Sequence, residues 1–396
     1  MKILILSTRL PYPQDTGAKI RAFQLMRALA EKHEVTLATF YGAEGEEQYF
    51  KCITDLGVKL VPILLPRIDN SVGLRDFILG VLFGLPVTVA KYRDRRMRRA
   101  IDSLVPEHDV IYCEHMHMAQ CVSSGQRKPK VLDAHNVEAQ IAERLMNVES
   151  HRLKKLLLFW NFRQMLRYEG RITRKFDLIL AVSEQDRAFY TDKYRAKNAV
   201  VLENGVDLEY FHMAPAEHLE KLRLVFVGMM GWKPNSDGIL YFVTEIFPQI
   251  QNEFPSICLD IVGKNPPADV IRLKERPGVR VTGTVDDVRP YVWDAQVYVV
   301  PLRFGGGTRL KILEAFAMRK AVVSTTLGCE GIICRHGKEL LVADEASDFA
   351  EKVICLLRNE SLRRELGENA VQLAGSLYGW RRIGEKMLGY FSKLLS

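Results

Sequence analysis

The sequence reads as an α/β protein built from two doubly wound, Rossmann-like domains that face each other across a cleft. Length, alternation and repetition carry that reading. The chain has 396 residues, enough for two or three domains. Short apolar runs alternate with helical periodicities, as parallel sheets covered on both faces require. The alternation then stops and starts again near residue 221.

In the first half, Lys2–Ser7, Val35–Phe40, Val58–Leu64, Val110–Cys113, Lys130–Ala134 and Leu178–Val182 read as buried strands. Helical spacing lies between them, for example Ala22, Leu25, Met26 and Leu29. The stretch Glu203 to Lys221, with Asn204-Gly205 and Pro215, reads as a linker. The second half continues with Leu222–Gly228, Cys258–Gly263, Val279–Thr282, Val297–Val300 and Ala321–Ser324 as strands, and a helix from Gly238 to Glu253. From Arg381 onward, Ile383, Met387, Tyr390, Phe391 and Leu394 share one helical face, a capping or crossover helix.

Composition narrows the class. Hydrophobic residues are 47% and charged residues 26%, which excludes a mainly disordered, collagen-like or disulfide-stapled chain. Lys plus Arg exceed Asp plus Glu by 56 − 48 = 8, a surplus that suits a phosphate-bearing substrate or a membrane surface. It is too modest and dispersed to imply nucleic acid. Seven cysteines without Cys-x-x-Cys spacing fit a reduced, cytosolic chain, with Cys52, Cys113, Cys258 and Cys355 expected as small core residues. The start, Met1 to Thr8, is expected to be a first strand rather than a secretory signal.

No apolar run reaches the roughly 20 residues of a spanning helix. The longest, Phe77 to Ala90, is broken by Gly80, Gly84 and Pro86 and followed by Lys91, Arg93, Arg95, Arg96, Arg98 and Arg99. That cluster is either a solvated basic face or a site of peripheral attachment to anionic lipid. Arg152 to Trp160 offers a second surface of the same kind.

Ligands of open parallel sheets bind beyond the carboxyl ends of the strands. Two segments stand there, Thr8 to Arg21 and Pro301 to Glu314. Both put cations in the first turn of a helix: Lys19 and Arg21, then Arg309 and Lys311. The helix dipole disfavours cations there unless an anion is bound. Gly305, Gly306 and Gly307 let backbone amides approach a phosphate closely. Neither segment is a Walker loop or a Gly-x-Gly-x-x-Gly fingerprint. No Asp-x-Asp triplet exists to hold a metal against a diphosphate, so no metal is expected, and Asp286-Asp287 reads as a helix cap.

These motifs together resemble the B-type (GT-B) retaining glycosyltransferases of family four, group 1 type. The marks are Thr8-Arg-Leu-Pro-Tyr-Pro with Gly17, then Asp133-Ala-His135-Asn136-Val-Glu138 and Glu203-Asn204-Gly205-Val-Asp207. Phe226-Val-Gly228, Gly283-Thr-Val-Asp-Asp-Val and the run Gly305 to Ala315 complete them. The resemblance implies an acceptor-side domain over 1–207, a nucleotide-sugar domain over 208–378, and a terminal helix, 379–396, crossing back to the first domain.

It further implies transfer of a sugar from a nucleoside diphosphate, most commonly UDP, to an acceptor hydroxyl with retention, in polysaccharide or glycolipid assembly. Donor binding falls to Gly17, Gly228, Lys233, Val285, Gly305, Gly306, Gly307, Thr308 and Glu314. Glu314 matches the second Glu of the family's Glu-x7-Glu pattern and would hold ribose hydroxyls; Gly306 stands where the first Glu is usual. Val285 stands where the nucleobase is met. His135, Arg309 and Lys311 are the expected catalytic groups, His135 as a hydrogen-bond donor near the anomeric carbon and the two cations as the diphosphate clamp. Arg9, Lys19, His115 and Asn136 fall on the acceptor side, with His117 beside them.

Domain closure would assemble the site, and a departing phosphate oxygen would take the acceptor proton. The expected partners are the nucleotide-sugar and a saccharide or lipid-linked saccharide, with peripheral contact to the inner face of the cytoplasmic membrane and no cofactor. The rival readings are a nucleotide-sugar epimerase or phosphorylase on the same plan, and a non-catalytic nucleotide-sugar-binding partner.

Overall fold

Continuous apolar runs became strands buried on both faces, and the two sheets they form position everything discussed below. The structure is a computed structural model and describes residues 1–42, 45–65, 68, 72–123, 125–215 and 220–395. Residues 216–219 of the expected linker lie outside them. The chain divides into two compact units, Met1–Asn204 with Arg381–Ser396, and Gly205–Trp380.

The strands of the first unit are β1 (Lys2–Ser7), β2 (Glu34–Tyr41), β3 (Lys59–Leu64), β4 (Val110–Glu114), β5 (Lys130–Ala134), β6 (Leu178–Ala181) and β7 (Ala199–Val201). All pair in parallel, in the order β3-β2-β1-β4-β5-β6-β7. Ile3 to Leu6 of β1 are buried, with Val35 of β2 on one side and Val110 of β4 on the other. The order therefore reverses between β1 and β4, which opens a crevice at their carboxyl ends.

The helices used below are α1 (Gly17–Ala30), α2 (Leu74–Phe83), α3 (Arg95–Leu104), α4 (Glu138–Val148) and α5 (Arg152–Thr173) in the first unit, then α6 (Lys233–Tyr241) and α7 (Leu310–Ala317), and finally α8 (Trp380–Leu395). Thr16 caps α1 by accepting the Lys19 N–H at 3.4 Å. Residues Arg381 onward of α8 belong with the first unit. Phe391 packs near Tyr112, the Tyr390 hydroxyl donates to Val201 O (3.1 Å), and Lys386 pairs with Glu203 (2.7 Å).

The second unit holds β8 (Lys221–Val227), β9 (Cys258–Val262), β10 (Val279–Gly283), β11 (Ala295–Val300), β12 (Ala321–Ser324) and β13 (Leu341–Val342), parallel in the order β10-β9-β8-β11-β12-β13. Its reversal lies between β8 and β11. The helix expected from Gly238 starts earlier, at Lys233, because Pro234 suits a first turn. Asp287 accepts the N–H of Arg289 at 2.9 Å, at the start of the short helix Arg289–Asp294.

Two expectations need correction. Of the cysteines assigned to the core, only Cys113 is buried; Cys52 and Cys258 are half-buried, and Cys355 lies exposed on a helix. Lys91 is buried and is not part of a solvated basic face.

Candidate functional site

In the second unit the loops after β8 and β11 carry the polar groups. Gly228 directly follows β8, its N–H held by Val262 O at 2.9 Å. A Cβ on Gly263 would fall 1.8 Å from Gly228 O, so two backbones cross there without room for a side chain. The following loop leads into α6, whose first turn buries Asn235. Its amide nitrogen donates to Met229 O at 2.9 Å.

Lys311, in the first turn of α7, donates from Nζ to Asn235 Oδ1 at 2.9 Å and sits 4.1 Å from the centroid of the Phe226 ring. A Cβ on Gly228 would lie 2.6 Å from that nitrogen. Burial, with the charge of Arg309 second, pushes the Lys311 amine down to about 7, although part of its surface stays exposed. Glu314, three residues on, is pushed up to about 7 by burial against the pull of Lys311. An amine and a carboxyl on one helical face thus both change charge near neutral pH.

The glycine loop approaches its neighbours closely. Gly305 has φ +124°, and a Cβ there would be 3.1 Å from Arg309 Nη2 and 3.3 Å from Pro234. Gly307 also has positive φ, 74°. The Thr308 hydroxyl oxygen is buried without a hydrogen-bond partner. Arg309 is buried and folds back on its own loop, where Nη1 donates to the carbonyls of Gly306 and Gly307. It is the residue before α7, not a member of its first turn. Lys233 is exposed at the start of α6, and Val285 follows β10, two strands from β8, half-buried against the core.

In the first unit, the ends of β1, β4 and β5 bring together an acid–imidazole chain. His135 is buried, and its Nε2 lies 3.2 Å from both Glu114 Oε1 and Asp133 Oδ2. The Ser7 hydroxyl donates to the other Glu114 oxygen at 2.7 Å. Beyond Asp133 stands Arg21, fully buried, with acceptors for all five N–H groups. These are Asp133 (2.7 and 3.0 Å), Leu202 O (3.0 Å), Glu203 O (2.9 Å) and Asn204 Oδ1 (3.0 Å). Burial alone would raise the Asp133 carboxyl; Arg21, then His135, instead hold it well below the usual range.

Arg21 is therefore not a cation awaiting an anionic ligand. Its counter-ion is Asp133, and it ties α1 to β5 and to the segment after β7. Lys19 is likewise paired, with Asp15 at 3.2 Å.

His115, with φ 76°, faces Glu138 Oε1 at 3.3 Å and hydrogen-bonds the His117 ring. Burial works to lower the His115 imidazole, but Glu138, with Glu114 and Asp133 behind it, makes the net shift upward. Burial and the neighbouring His115 charge push His117 down to about 3. Asn136 donates weakly to Glu138 (3.4 Å) and its carbonyl accepts the Tyr190 hydroxyl (2.8 Å). Glu169 of α5 accepts the N–H groups of Glu138 and Ala139, both at 3.0 Å, and the hydroxyls of Tyr190 and Tyr194, so α4 starts from a fixed point. Arg9 donates to Ile68 O, and Gly17 is exposed at the start of α1.

Asn235, Glu114 and Glu169 carried no assigned role in the sequence. Only Asn235 left a signal, an amide directly after the Lys-Pro that opens a helix. Among the described residues, no group of three or more His, Cys, Asp or Glu side chains is placed to hold a metal ion.

Two family models match the chain. One, described as Glycosyltransferase Family 4, spans residues 16–210, and the other, Glycosyl transferases group 1, spans residues 221–359. A protein of Klebsiella pneumoniae, known as an uncharacterised 44.6 kDa protein in the cps region, is 24% identical over 96% of this chain and 97% of its own length. An uncharacterised glycosyltransferase of Methanocaldococcus jannaschii, MJ1069, is 24% identical over 57% of this chain and 60% of its own.

Among solved structures, sucrose-phosphate synthase of Thermosynechococcus elongatus superposes with a TM-score of 0.72 at 16% identity, covering 100% of this chain and 99% of that one. Anabaena Alr3699/HepE in complex with UDP and glucose gives 0.71 at 15% identity, covering 99% and 100%. WaaG, a glycosyltransferase involved in lipopolysaccharide biosynthesis, gives 0.66 at 16%, covering 97% and 98%.

Proposed function

The chain belongs to the group 1, family-four glycosyltransferases with the GT-B fold, and from that premise we propose that it transfers a hexosyl group from a UDP-sugar, with retention, to a hydroxyl of a saccharide or lipid-linked saccharide. The observation that carries the reading is Lys311. Its amine is drawn into protein at the end of β8, held by Asn235 and Phe226, with burial working against its charge. A diphosphate would restore that charge. The glycine-loop amides and the start of α7 on the same segment are both suited to an anion.

The protein's task in this reaction is to stabilise charge growing on the departing diphosphate, and loss of one such contact commonly costs about 10²–10³ in rate. Lys311 and the amides of Gly305 to Gly307 supply the first contacts. Arg309 joins them by exchanging the carbonyls of Gly306 and Gly307 for phosphate oxygens. Thr308 offers a hydroxyl, Glu314 accepts from ribose hydroxyls, and Gly228 leaves room for the diphosphate. Lys233 is assigned to the phosphate and Val285 to the base.

In the first unit, His135 donates from Nε2 to Glu114 and Asp133, so its Nδ1 side is what remains for the sugar. Arg9, Lys19, His115 and Asn136 border the acceptor side, and Gly17 is assigned to the donor. A leaving phosphate oxygen takes the acceptor proton, so no separate base is needed. The cps-region relative and the lipopolysaccharide enzyme support a role in polysaccharide or cell-envelope glycolipid assembly.

Purified protein incubated with UDP-glucose and its epimers tests this. Slow release of UDP and of sugar with unchanged anomeric configuration is expected, as is a melting temperature raised by UDP more than by GDP, ADP, CDP or TDP. No turnover of any nucleotide-sugar, with UDP still bound, would favour a non-catalytic binding partner, the reading that Gly306 in the place of the first Glu supports.

A further inference from the structure

One surface of the first unit is built opposite to what water demands. Along α2, Leu74, Phe77, Ile78, Val81 and Leu82 recur at i, i+3, i+4, i+7 and i+8, the spacing of a core-facing stripe. All five are exposed, Leu74 by 76% and Leu82 by 70%. The face that α2 turns inward carries Asp76, which accepts the Gly73 N–H at 3.0 Å, and Gly80, where a Cβ would meet Leu85 O at 2.9 Å. Helix and protein thus meet through Asp76, Gly80 and the half-buried Leu79, while the five-residue apolar stripe faces out.

The first turns of α5 repeat the arrangement. Leu153, Leu156 and Leu157 are exposed at i, i+3 and i+4, and Trp160 one turn on packs 5.8 Å from Phe77. The two stripes therefore join into one apolar surface, larger than the scattered exposed residues of an ordinary monomer.

Cations border it. A cleft of about 480 Å³ beside α2 is lined by Arg75, Arg93, Arg95 and Arg98, with Phe83 and Gln120 among its other walls. The Arg93 guanidinium stacks 3.8 Å from the Phe83 ring centroid, at the seam between the apolar stripe and the cleft. The one acidic lining group, Asp94, is already spent. It accepts the N–H groups of Arg96 and Met97 at the start of α3 and pairs with the Arg96 side chain at 2.8 Å. Arg152, Lys154 and Lys155 flank the leucines of α5. Among the described residues, no helix is long and apolar enough to cross a membrane.

We propose that α2 and the start of α5 lie in the plane of an anionic bilayer surface, with the arginine cleft holding a lipid phosphate headgroup at its rim. Apolar side chains that point outward need an apolar medium, and the cleft arginines, of which only Arg98 has a carboxylate partner (Asp102 at 4.0 Å) among the described residues, favour phosphate; an anionic lipid leaflet offers both. The proposal rests on the glycosyl-transfer reading only for its purpose, delivery of a membrane-borne acceptor.

Cosedimentation of the full chain with vesicles tests it. Binding to phosphatidylcholine doped with phosphatidylglycerol should exceed binding to phosphatidylcholine alone by at least about tenfold, and should fall as salt rises. Leu82→Asp with Leu156→Asp should cut binding by at least about tenfold. Arg75→Glu with Arg95→Glu, both exposed, should remove the preference for anionic lipid. Each variant should keep the UDP-induced rise in melting temperature.

Equal binding to both vesicle types, or unchanged binding by the variants, overturns the proposal. So does displacement by soluble glycerol phosphate, which would make the cleft a site for a free phosphate ester. A dimer in sedimentation velocity that Leu82→Asp dissociates also overturns it, since the face would then belong to a second copy. Loss of the UDP response in the parent chain with vesicle binding intact would instead sink the glycosyl-transfer reading alone.

Discussion

Affinity for UDP is expected to pass through a maximum near neutral pH, because the two groups proposed to grip it are both held near pH 7 in the unliganded protein. Burial, then Arg309, lowers the Lys311 amine to about 7, and burial raises the Glu314 carboxyl to about 7. The diphosphate contact needs the ammonium form. Above pH 7 the nucleotide must therefore bring a proton to Lys311 as it binds.

A group titrating near 7 is about 99% neutral at about pH 9, so the loss approaches tenfold per pH unit, or about 50-fold between about pH 7 and 9. Below pH 7 the sign reverses, since Glu314 must lose a proton to accept from ribose hydroxyls. Both side chains keep some exposed surface, which makes these slopes upper limits.

Calorimetric titration with UDP from about pH 6 to 9, in buffers of different ionisation enthalpy, measures affinity and proton uptake together. Uptake should approach one proton per nucleotide at the alkaline end. Lys311→Met should lose the alkaline limb along with most of the affinity. Glu314→Gln should keep that limb and flatten the acid one, leaving only the nucleotide's own phosphate titration. A flat profile from about pH 7 to 9 with no buffer-dependent heat would refute the placement of the diphosphate on Lys311.

Gly228→Ala should abolish the UDP-induced rise in melting temperature while leaving the unliganded melting temperature within a few degrees, because the new Cβ meets the ends of Lys311 and Asn235 rather than backbone; a normal UDP response would count against the site. Asp133→Asn should lower the urea midpoint by the equivalent of about 3–5 kcal/mol, since it leaves the fully buried Arg21 without its counter-ion; a change under about 1 kcal/mol would mean the pair contributes little. Sugar transfer should persist in excess EDTA, given the absence of an Asp-x-Asp triplet; activity that vanishes and returns with Mg²⁺ or Mn²⁺ would contradict this.

Central parallel strands were legible in the sequence because burial on both faces demands an unbroken apolar run. Lys2–Ser7, Lys130–Ala134 and Ala321–Ser324 stand where the runs place them. The edge strands β7 and β13 were not, being three and two residues long and only partly buried. The glycine loop announced itself through composition.

What composition could not decide was partnership. Arg21 at the start of a helix reads the same whether its counter-ion is a ligand or Asp133, 112 residues away, and only the tertiary pairing settles which. Lys311 is an ordinary lysine in the sequence; its lowered basicity comes from the protein packed around it, Phe226 and Asn235 among it. The stripe on α2 has core spacing, and nothing local says which side turns inward. Periodicity fixes a helix's faces, whereas the neighbours that each face meets are chosen by residues far along the chain.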